Sequence, residues 1–308
     1  MVKRRTFLKL GAAGMAVAGA GGLLGACNRD EAETLTVGSK SFQEQYILAA
    51  LLAKLIERDT DAEATTKRFE TTFACHDALK QGAIQSYVEY TGTAYAAVLG
   101  HYPEMDPDKV YQHVAREYAD DKGILWLPRL GFQNKYAVIV RADTADKHGL
   151  SAISDIGKVQ DELRPGFVFE FYDRADGYPG LIQQYELSFD KEPVSFGPEQ
   201  DEAGMEEMYS ALLGGDVDLV VGHSTDGFID AHDLVMLDDD RDYFPPYDAA
   251  PLLRADTAED HPKVKEVLTA LGGKIDVAAM RRANRAVDLE GKTAEAAAEA
   301  LLSEIGLG

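Results

Sequence analysis

The sequence contains few residues of the kinds that build disulfide frameworks or metal sites. Only two cysteines occur among the 308 residues, Cys27 and Cys75, and the seven histidines include no H-x-x-x-H pair. Structural zinc sites use closely spaced histidine or C-x-x-C pairs, and a disulfide framework needs several cysteines. We therefore expect no metal and no cofactor, and we expect Cys75 to be a small buried side chain.

Basic residues are also scarce. Lys and Arg together number 31, against 53 Asp and Glu, which gives a formal net charge of −22. So acidic a surface repels phosphate backbones and anionic lipid headgroups. The charge argues against nucleic acid as a partner, and it would suit a salty habitat, where screening weakens the repulsion.

The N-terminal apolar run is too short to cross a membrane. It follows the basic residues Lys3, Arg4, Arg5 and Lys9 and extends over 11–26 without a charge, whereas a membrane-spanning helix needs about 20 apolar residues. This order is typical of a secretory signal. The string R-R-T-F-L-K resembles the twin-arginine consensus, an address for export of folded proteins. An uncleaved membrane anchor is the alternative.

The signal ends in L-G-A-C, which resembles a lipobox whose cysteine is lipidated and becomes the new N-terminus. We therefore predict a signal over 1–27, lipid attachment at Cys27 and a polar spacer over 28–33. The mature protein would work outside the cytoplasm, anchored by lipid to the outer face of the cytoplasmic membrane.

The rest of the chain has the pattern of an α/β protein. Its length of about 280 residues exceeds the usual single-core domain of roughly 100–150. Short β-type runs alternate with amphipathic helical runs, which is typical of largely parallel sheets. A strand over 136–141 opens a new α/β series, and Pro245-Pro246 marks a rigid return. Two connections of this kind predict a hinge with a ligand cleft. The predicted boundaries are 34–136 plus 246–308 for lobe I and 137–245 for lobe II.

Local signals predict several element boundaries. Ser41 is expected to cap a helix over 42–58, with Glu44 completing a capping box. Asp276 and Thr293 are expected to cap helices near the C-terminus. Residues 166–171 have the composition of a strand.

The string G-H-S-T-D-G at 222–227 does not support catalysis. A nucleophile elbow requires G-x-S-x-G, and here an extra residue separates Ser224 from Gly227. His223 is adjacent in sequence to Ser224, whereas the base of a catalytic triad normally comes from a distant segment. We therefore expect no catalytic residues and no enzymatic activity.

Tyrosine is abundant where tryptophan is nearly absent, with fourteen Tyr against one Trp. Tyr90 follows a predicted strand, Tyr136 begins the strand that changes lobe, and Tyr247 follows the Pro-Pro return. The topology places all three beside the cleft. Electron-rich rings around a cleft suit a quaternary ammonium ion, which cannot donate a hydrogen bond and is held by cation–π attraction. Ordinary core packing is the alternative for each ring.

Several motifs resemble those of the glycine betaine/choline/carnitine solute-binding proteins of ABC importers, the ProX and OpuAC-like group. The resemblance extends over about 34–306 and is carried by V-G-S-K-S-F-Q-E-Q at 37–45, Y-V-E-Y-T-G-T at 87–93, D-G-Y-P-G at 176–180, S-T-D-G at 224–227 and F-P-P-Y-D at 244–248. It implies a periplasmic-binding-protein type II fold, with two lobes joined by a two-strand hinge. It also implies a monomer that hands a small quaternary-ammonium solute to permease and ATPase subunits.

The same resemblance assigns the site residues. The aromatic cage falls on Tyr90, Tyr136, His223 and Tyr247, and the groups that grip the carboxylate of a betaine fall on Lys40, Thr93 and Arg174. Lys40 precedes a helix N-terminus, which also favours an anion, and Arg174 offers a bidentate fork.

His223 stands where the family usually has tyrosine. A protonated imidazole would repel a cation, so affinity is expected to fall as pH drops through about 6.5. The ligand could accordingly be glycine betaine, or else choline, carnitine or another trimethylammonium betaine. A sensor subunit and an enzyme are the alternative classes.

Overall fold

A computed structural model describes residues 34–101, 104–173, 177–197 and 204–308. The predicted signal over 1–27, Cys27, the spacer over 28–33 and Arg174 lie outside the described residues.

The described elements alternate between strands and helices. The strands are β1 (Thr34–Lys40), β2 (Glu63–Phe69), β3 (Ser86–Tyr90), β4 (Ile124–Trp126), β5 (Tyr136–Arg141), β6 (Pro165–Val168), β7 (Val194–Phe196), β8 (Leu219–His223), β9 (Leu234–Met236) and β10 (Ala249–Arg254). The helices are α1 (Gln43–Asp59), α2 (Thr72–Lys80), α3 (Pro107–Lys122), α4 (Ala142–His148), α5 (Phe169–Asp173), α6 (Tyr178–Tyr185), α7 (Gly204–Gly214), α8 (Gly227–Ala231), α9 (Ala255–Asp260), α10 (Pro262–Thr269), α11 (Val277–Asp288) and α12 (Ala294–Glu304). A π-helical turn (Thr93–Val98) and a 3₁₀ turn (Ile153–Lys158) complete the set.

Within the described ranges the strands form two five-stranded sheets, ordered β2-β1-β3-β10-β4 and β7-β6-β8-β5-β9. Apolar clusters lie on both faces of each sheet. In the first lobe, the Leu- and Ala-rich helix α1 packs on β1 and against α12. Each sheet is therefore the middle layer of its own α/β lobe.

The expectation of largely parallel strands is wrong. Strand β1 is parallel to β2 and β3, but β10 is antiparallel to both β3 and β4. In the second sheet β6 is parallel to β7 and β8, whereas β5 is antiparallel to β8 and β9. Strands joined by a helical crossover are parallel, but β5 and β10 each enter from the other lobe, and that entry sets their direction.

The chain crosses between the sheets after β4 and returns after β9. The two connecting segments pair with each other through an antiparallel bridge between Gln133 and Asp248. Next to it, the N–H of Asn134 donates to the carbonyl of Tyr247 at 3.0 Å and that of Ala249 to Phe132 at 3.2 Å. The lobes are thus joined by two strand-like segments, as predicted, and the exact lobe boundaries stay a prediction.

Local predictions have mixed outcomes. Asp276 and Thr293 cap α11 and α12, each accepting from a backbone N–H of the first turn, which confirms both. The capping box at Ser41 is wrong, because Phe42 occupies the cap position and the Ser41 hydroxyl donates to the carbonyl of Glu70.

Two further predictions concern buried segments. The strand expected over 166–171 ends at Val168, and the chain continues as α5, where Phe171 packs beside Phe167. Cys75 is fully buried, which confirms its assignment, and burial raises the pKa of its thiol to about 12. Such a thiol is not a reactive one.

Candidate functional site

A cleft of about 650 Å³ lies between the two sheets. This volume is within the range of small-molecule sites. Six of the seven predicted ligand residues lie on its wall: Lys40, Tyr90, Thr93, Tyr136, His223 and Tyr247. The seventh, Arg174, lies outside the described residues. The structure therefore brings the described candidates together around one cavity, and the role of each stays a prediction.

The second lobe contributes a wall of stacked rings. Tyr136 and His223 face each other in the antiparallel register of β5 and β8, with ring centroids 5.0 Å apart and an interplanar angle of 27°. Tyr136 also contacts Phe171 at 5.2 Å and Phe244 at 6.0 Å. Because these neighbours hold it on several sides, the Tyr136 ring presents a preorganised apolar surface to the cleft.

The backbone at His223 is hydrogen-bonded to an aspartate. The carboxylate of Asp226 accepts the backbone N–H of His223 at 2.7 Å and the hydroxyl of Tyr209 at 2.6 Å. The imidazole Nδ1 lies 3.8 Å from the other oxygen of Asp226. Asp226 therefore fixes the backbone at His223 and places a carboxylate next to its ring.

In the first lobe, Tyr90 ends β3 and is almost fully buried. Its hydroxyl donates to Glu44 at 2.6 Å, and the ammonium group of Lys40 lies 4.6 Å from the centre of its ring. Burial, followed by the Glu44 charge, raises the pKa of Tyr90 well above its usual value. One face of the Tyr90 ring is thus already occupied by a cation.

Lys40 is paired with a carboxylate of the protein. Its ammonium group lies 2.5 Å from the carboxylate of Glu89, and both side chains are buried. Glu89 also accepts the hydroxyl of Tyr87 at 3.1 Å and the backbone N–H of Tyr90 at 2.7 Å. The positive charge that was predicted to hold a ligand carboxylate is therefore largely neutralised within the protein.

Thr93 and Tyr247 line the cleft on the first lobe. Thr93 begins the π-helical turn, and Gly92 precedes it. A side chain at Gly92 would place its Cβ 2.6 Å from the carbonyl oxygen of Pro246 and 2.9 Å from the ring of Tyr247. Glycine is required there because only its bare Cα allows Tyr247 to approach the start of the turn.

Sequence reasoning missed the carboxylates of the cleft. Glu44, which the sequence predicts to complete a capping box, is buried, and its carboxylate also accepts the amides of Asn134 at 3.0 Å and Asn284 at 2.9 Å. Asp226 and Asp288 line the same cavity. Asp288 is exposed at the cleft, and partial desolvation by the neighbouring protein, followed by the charges of Asp226 and Glu44, raises its pKa to about 6. These residues come from distant segments, so no sequence spacing would have joined them.

The structure also accounts for Ser224. Its hydroxyl donates to the carbonyl of Gln133 at 2.8 Å and accepts the backbone N–H of Lys135 at 3.1 Å, and the residue is buried. Both partners lie on a connecting segment. Ser224 therefore fastens β8 to that segment and is not an exposed nucleophile.

A family model for the substrate binding domain of the ABC-type glycine betaine transport system matches residues 33–304. The chain belongs to this family. Its members are solute-binding proteins of ABC transporters and not enzymes. Sequence relatives include the carnitine transport binding protein OpuCC of Listeria monocytogenes, 32% identical over 86% of this chain and 83% of that protein. The glycine-betaine-binding protein of Pseudomonas aeruginosa is 31% identical over 89% of this chain and 88% of that protein.

The fold agrees with this membership. A solved structure of a glycine betaine/carnitine/choline ABC transporter protein superposes with a TM-score of 0.82 at 30% identity, covering 89% of this chain and 99% of that one. This confirms the predicted two-lobed periplasmic-binding-protein fold and the family resemblance. Among the helices of the described ranges, none has the length and apolar character that a membrane span requires.

Proposed function

We propose that this chain captures a quaternary-ammonium solute, in the first instance glycine betaine, and delivers it to the permease and ATPase subunits of an ABC importer. The observation that carries the proposal is the convergence of aromatic rings from both lobes on one cleft that also contains carboxylates. Substrate-binding proteins of ABC importers work outside the cytoplasm, where such a solute is collected.

The chemistry of the cleft suits a cation without hydrogen-bond donors. Tyr136, His223 and Tyr247 line it with rings, and Glu44, Asp226 and Asp288 supply negative charge. A trimethylammonium group is held by ring faces through cation–π attraction, worth about 0.5–2 kcal/mol per ring depending on desolvation. Carboxylates a few ångströms away add attraction in a cavity that is partly shielded from water.

A carboxylate-bearing ligand needs hydrogen-bond donors and a positive charge. We propose that Lys40, Thr93 and Arg174 bind the carboxylate. Thr93 would donate its neutral hydroxyl, and Arg174 would supply most of the positive charge because Lys40 is already paired with Glu89. Lys40 and Thr93 lie on the first lobe, and Arg174 belongs to the segment predicted for the second, so a bound carboxylate would draw the lobes together.

Choline is the second candidate. Among the described cleft residues four are acidic, Glu44, Glu206, Asp226 and Asp288, and Lys40 is the one lysine or arginine. Since Lys40 is already paired with Glu89, the negative net charge of the described cleft residues favours a ligand with a positive charge and no carboxylate. Carnitine and other trimethylammonium betaines carry both the positive charge and a carboxylate.

Calorimetry separates these ligands. The purified protein is titrated with glycine betaine, choline, carnitine, proline betaine and a histidine-derived betaine. Arg174→Ala is expected to weaken glycine betaine at least tenfold and choline less than threefold, because choline has no carboxylate to lose. Arg164→Ala, an exposed arginine of the second lobe, is the matched control. Equal losses for both ligands would contradict the clamp, and no binding of any quaternary ammonium compound would overturn the proposal.

The proposed lipid anchor is tested separately. Cys27→Ala should release the protein from the membrane fraction into the soluble extracytoplasmic fraction and abolish incorporation of labelled fatty acid. Replacing Arg4 and Arg5 by lysine should leave the precursor in the cytoplasm, because the export receptor reads the arginine pair. A Cys27→Ala protein that stays with the membrane would instead favour an uncleaved anchor.

A further inference from the structure

Two histidines and a glutamate converge on the first lobe, and none of them lines the cleft. His113 and Glu117 lie one turn apart on α3, and His101 follows the π-helical turn. The Nε2 atoms of the two histidines are 3.0 Å apart. One oxygen of Glu117 lies 2.9 Å from Nε2 of His101 and 3.1 Å from Nε2 of His113. Three ligand atoms thus form a nearly equilateral triangle.

Protons alone do not satisfy this triangle. Each of its three edges needs a hydrogen between the two atoms, and an imidazole Nε2 carries at most one. If both histidines donate to Glu117, their two N–H groups face each other. If one histidine donates to the other, the second presents a lone pair to the carboxylate. A cation above the centre of the triangle would meet all three lone pairs at once.

The protein holds the three groups firmly. Helix α3 has Asp106 as its N-cap and the left-handed Gly123 at its C-terminal end. The backbone N–H of His101 donates to the carbonyl of Tyr95 at 3.1 Å. The Tyr95 ring packs against both imidazoles, with centroid distances of 4.9 and 5.2 Å. The ligand side chains are 28–34% exposed, so an ion can enter and water can complete its coordination.

We propose that His101, His113 and Glu117 form a binding site for a divalent transition-metal ion of the Zn²⁺ class. Donor atoms about 3 Å apart can all lie about 2.1 Å from one ion and subtend angles of about 90° at it, a facial arrangement. Two imidazoles and one carboxylate are ligands that Zn²⁺ and its first-row neighbours prefer, whereas Mg²⁺ and Ca²⁺ take oxygen ligands.

Sequence spacing predicted no metal site because His101 and His113 are too far apart in the chain for a familiar motif. The ligand set exists only because the turn after Val98 returns to α3.

The test is calorimetric titration of the EDTA-treated, desalted protein with ZnCl₂. Excess Mg²⁺ is present throughout, because the acidic surface binds divalent ions weakly and Mg²⁺ occupies those sites without competing for imidazole. We expect one equivalent of Zn²⁺ to bind. His113→Ala and the isosteric Glu117→Gln should each weaken it at least tenfold. His232→Ala, an exposed histidine of the second lobe, should bind Zn²⁺ like the wild type.

Two measurements keep the result interpretable. Thermal unfolding without metal shows whether each variant is folded, and Glu117→Gln preserves shape where His113→Ala does not. Titration with Co²⁺ should produce a visible absorption band in the wild type and in His232→Ala that is lost in Glu117→Gln. Absence of saturable Zn²⁺ binding in excess Mg²⁺, or binding that is the same in all the folded variants, would overturn the proposal.

Discussion

The carboxyl group of Asp288 makes the charge of the cleft depend on pH. Asp288 ends α11 and is exposed at the cleft, and the neighbouring protein, followed by the charges of Asp226 and Glu44, raises its pKa to about 6 from an ordinary value of 3.8. A bound cation would favour the ionised carboxylate. Binding is therefore linked to release of the Asp288 proton, and affinity for a quaternary ammonium ion should rise with pH through about 6.

The change in affinity with pH follows from the fraction of molecules in which Asp288 is ionised. At pH 5, a group with a pKa of about 6 is ionised in about one molecule in eleven. If tight binding needs that charge, the dissociation constant at pH 5 should be about tenfold higher than at pH 7.5, where nearly every molecule is ionised. Choline is the best probe because it has no carboxyl group of its own.

The pH dependence that the sequence suggested for His223 has the same direction. The variants separate the two groups. Asp288→Asn should weaken binding at pH 7.5 and give a nearly flat calorimetric profile between pH 5 and 8, whereas His223→Tyr should keep the tenfold fall. A flat wild-type profile, or a fall that survives in Asp288→Asn and disappears in His223→Tyr, would refute the assignment to Asp288.

The ring wall and the buried ion pair permit further tests. Tyr136→Ala removes a ring worth about 1–2 kcal/mol to a desolvated cation and should weaken binding about 5- to 30-fold by calorimetry. Tyr136→Phe keeps the ring and should weaken binding less than threefold. Equal losses in the two variants would mean that the hydroxyl, not the ring face, binds the ligand. Glu89→Gln leaves the Lys40 ammonium buried without its partner and should lower the free energy of unfolding by about 3–5 kcal/mol in a denaturant titration. The double variant with Lys40→Met should recover much of this loss, and a double variant as unstable as Glu89→Gln alone would contradict the reasoning.

Local signals predicted the parts of the fold that depend on neighbouring residues. The caps at Asp276 and Thr293 follow from a side chain and the N–H three residues later. The strand over 136–141 could be predicted because a short continuous apolar run is typical of a strand that is buried on both faces, as this one is. The same reasoning failed at Glu44, where a capping box was expected. There the carboxylate is drawn away from the helix end by Tyr90, Asn134 and Asn284, and the last of these lies 240 residues further along the chain.

The candidate site likewise contains residues that local sequence signals could place and residues that they could not. Tyr136 and Tyr247 could be placed beside a cleft because each lies next to a lobe crossing, which the sequence marks by a strand start and a Pro-Pro pair. The three carboxylates of the cleft could not be predicted. Glu44, Asp226 and Asp288 belong to three separate helix ends, and only the packing of α1, α8 and α11 brings these ends to one cavity. For the same reason, spacing rules missed the cluster of His101, His113 and Glu117.

The two walls of the cleft differ in how they are organised, and this bears on how binding could move the lobes. On the first lobe, hydrogen bonds fix Glu44 and Lys40 before any ligand arrives. On the second, Tyr136 and His223 present rings held by packing. If a solute binds as proposed, it contacts rings and carboxylates of both lobes at once, because each wall contributes both kinds of group. Affinity then depends on both walls meeting the same ligand, and the two paired connecting segments at Gln133 and Asp248 are where the chain can absorb that closure.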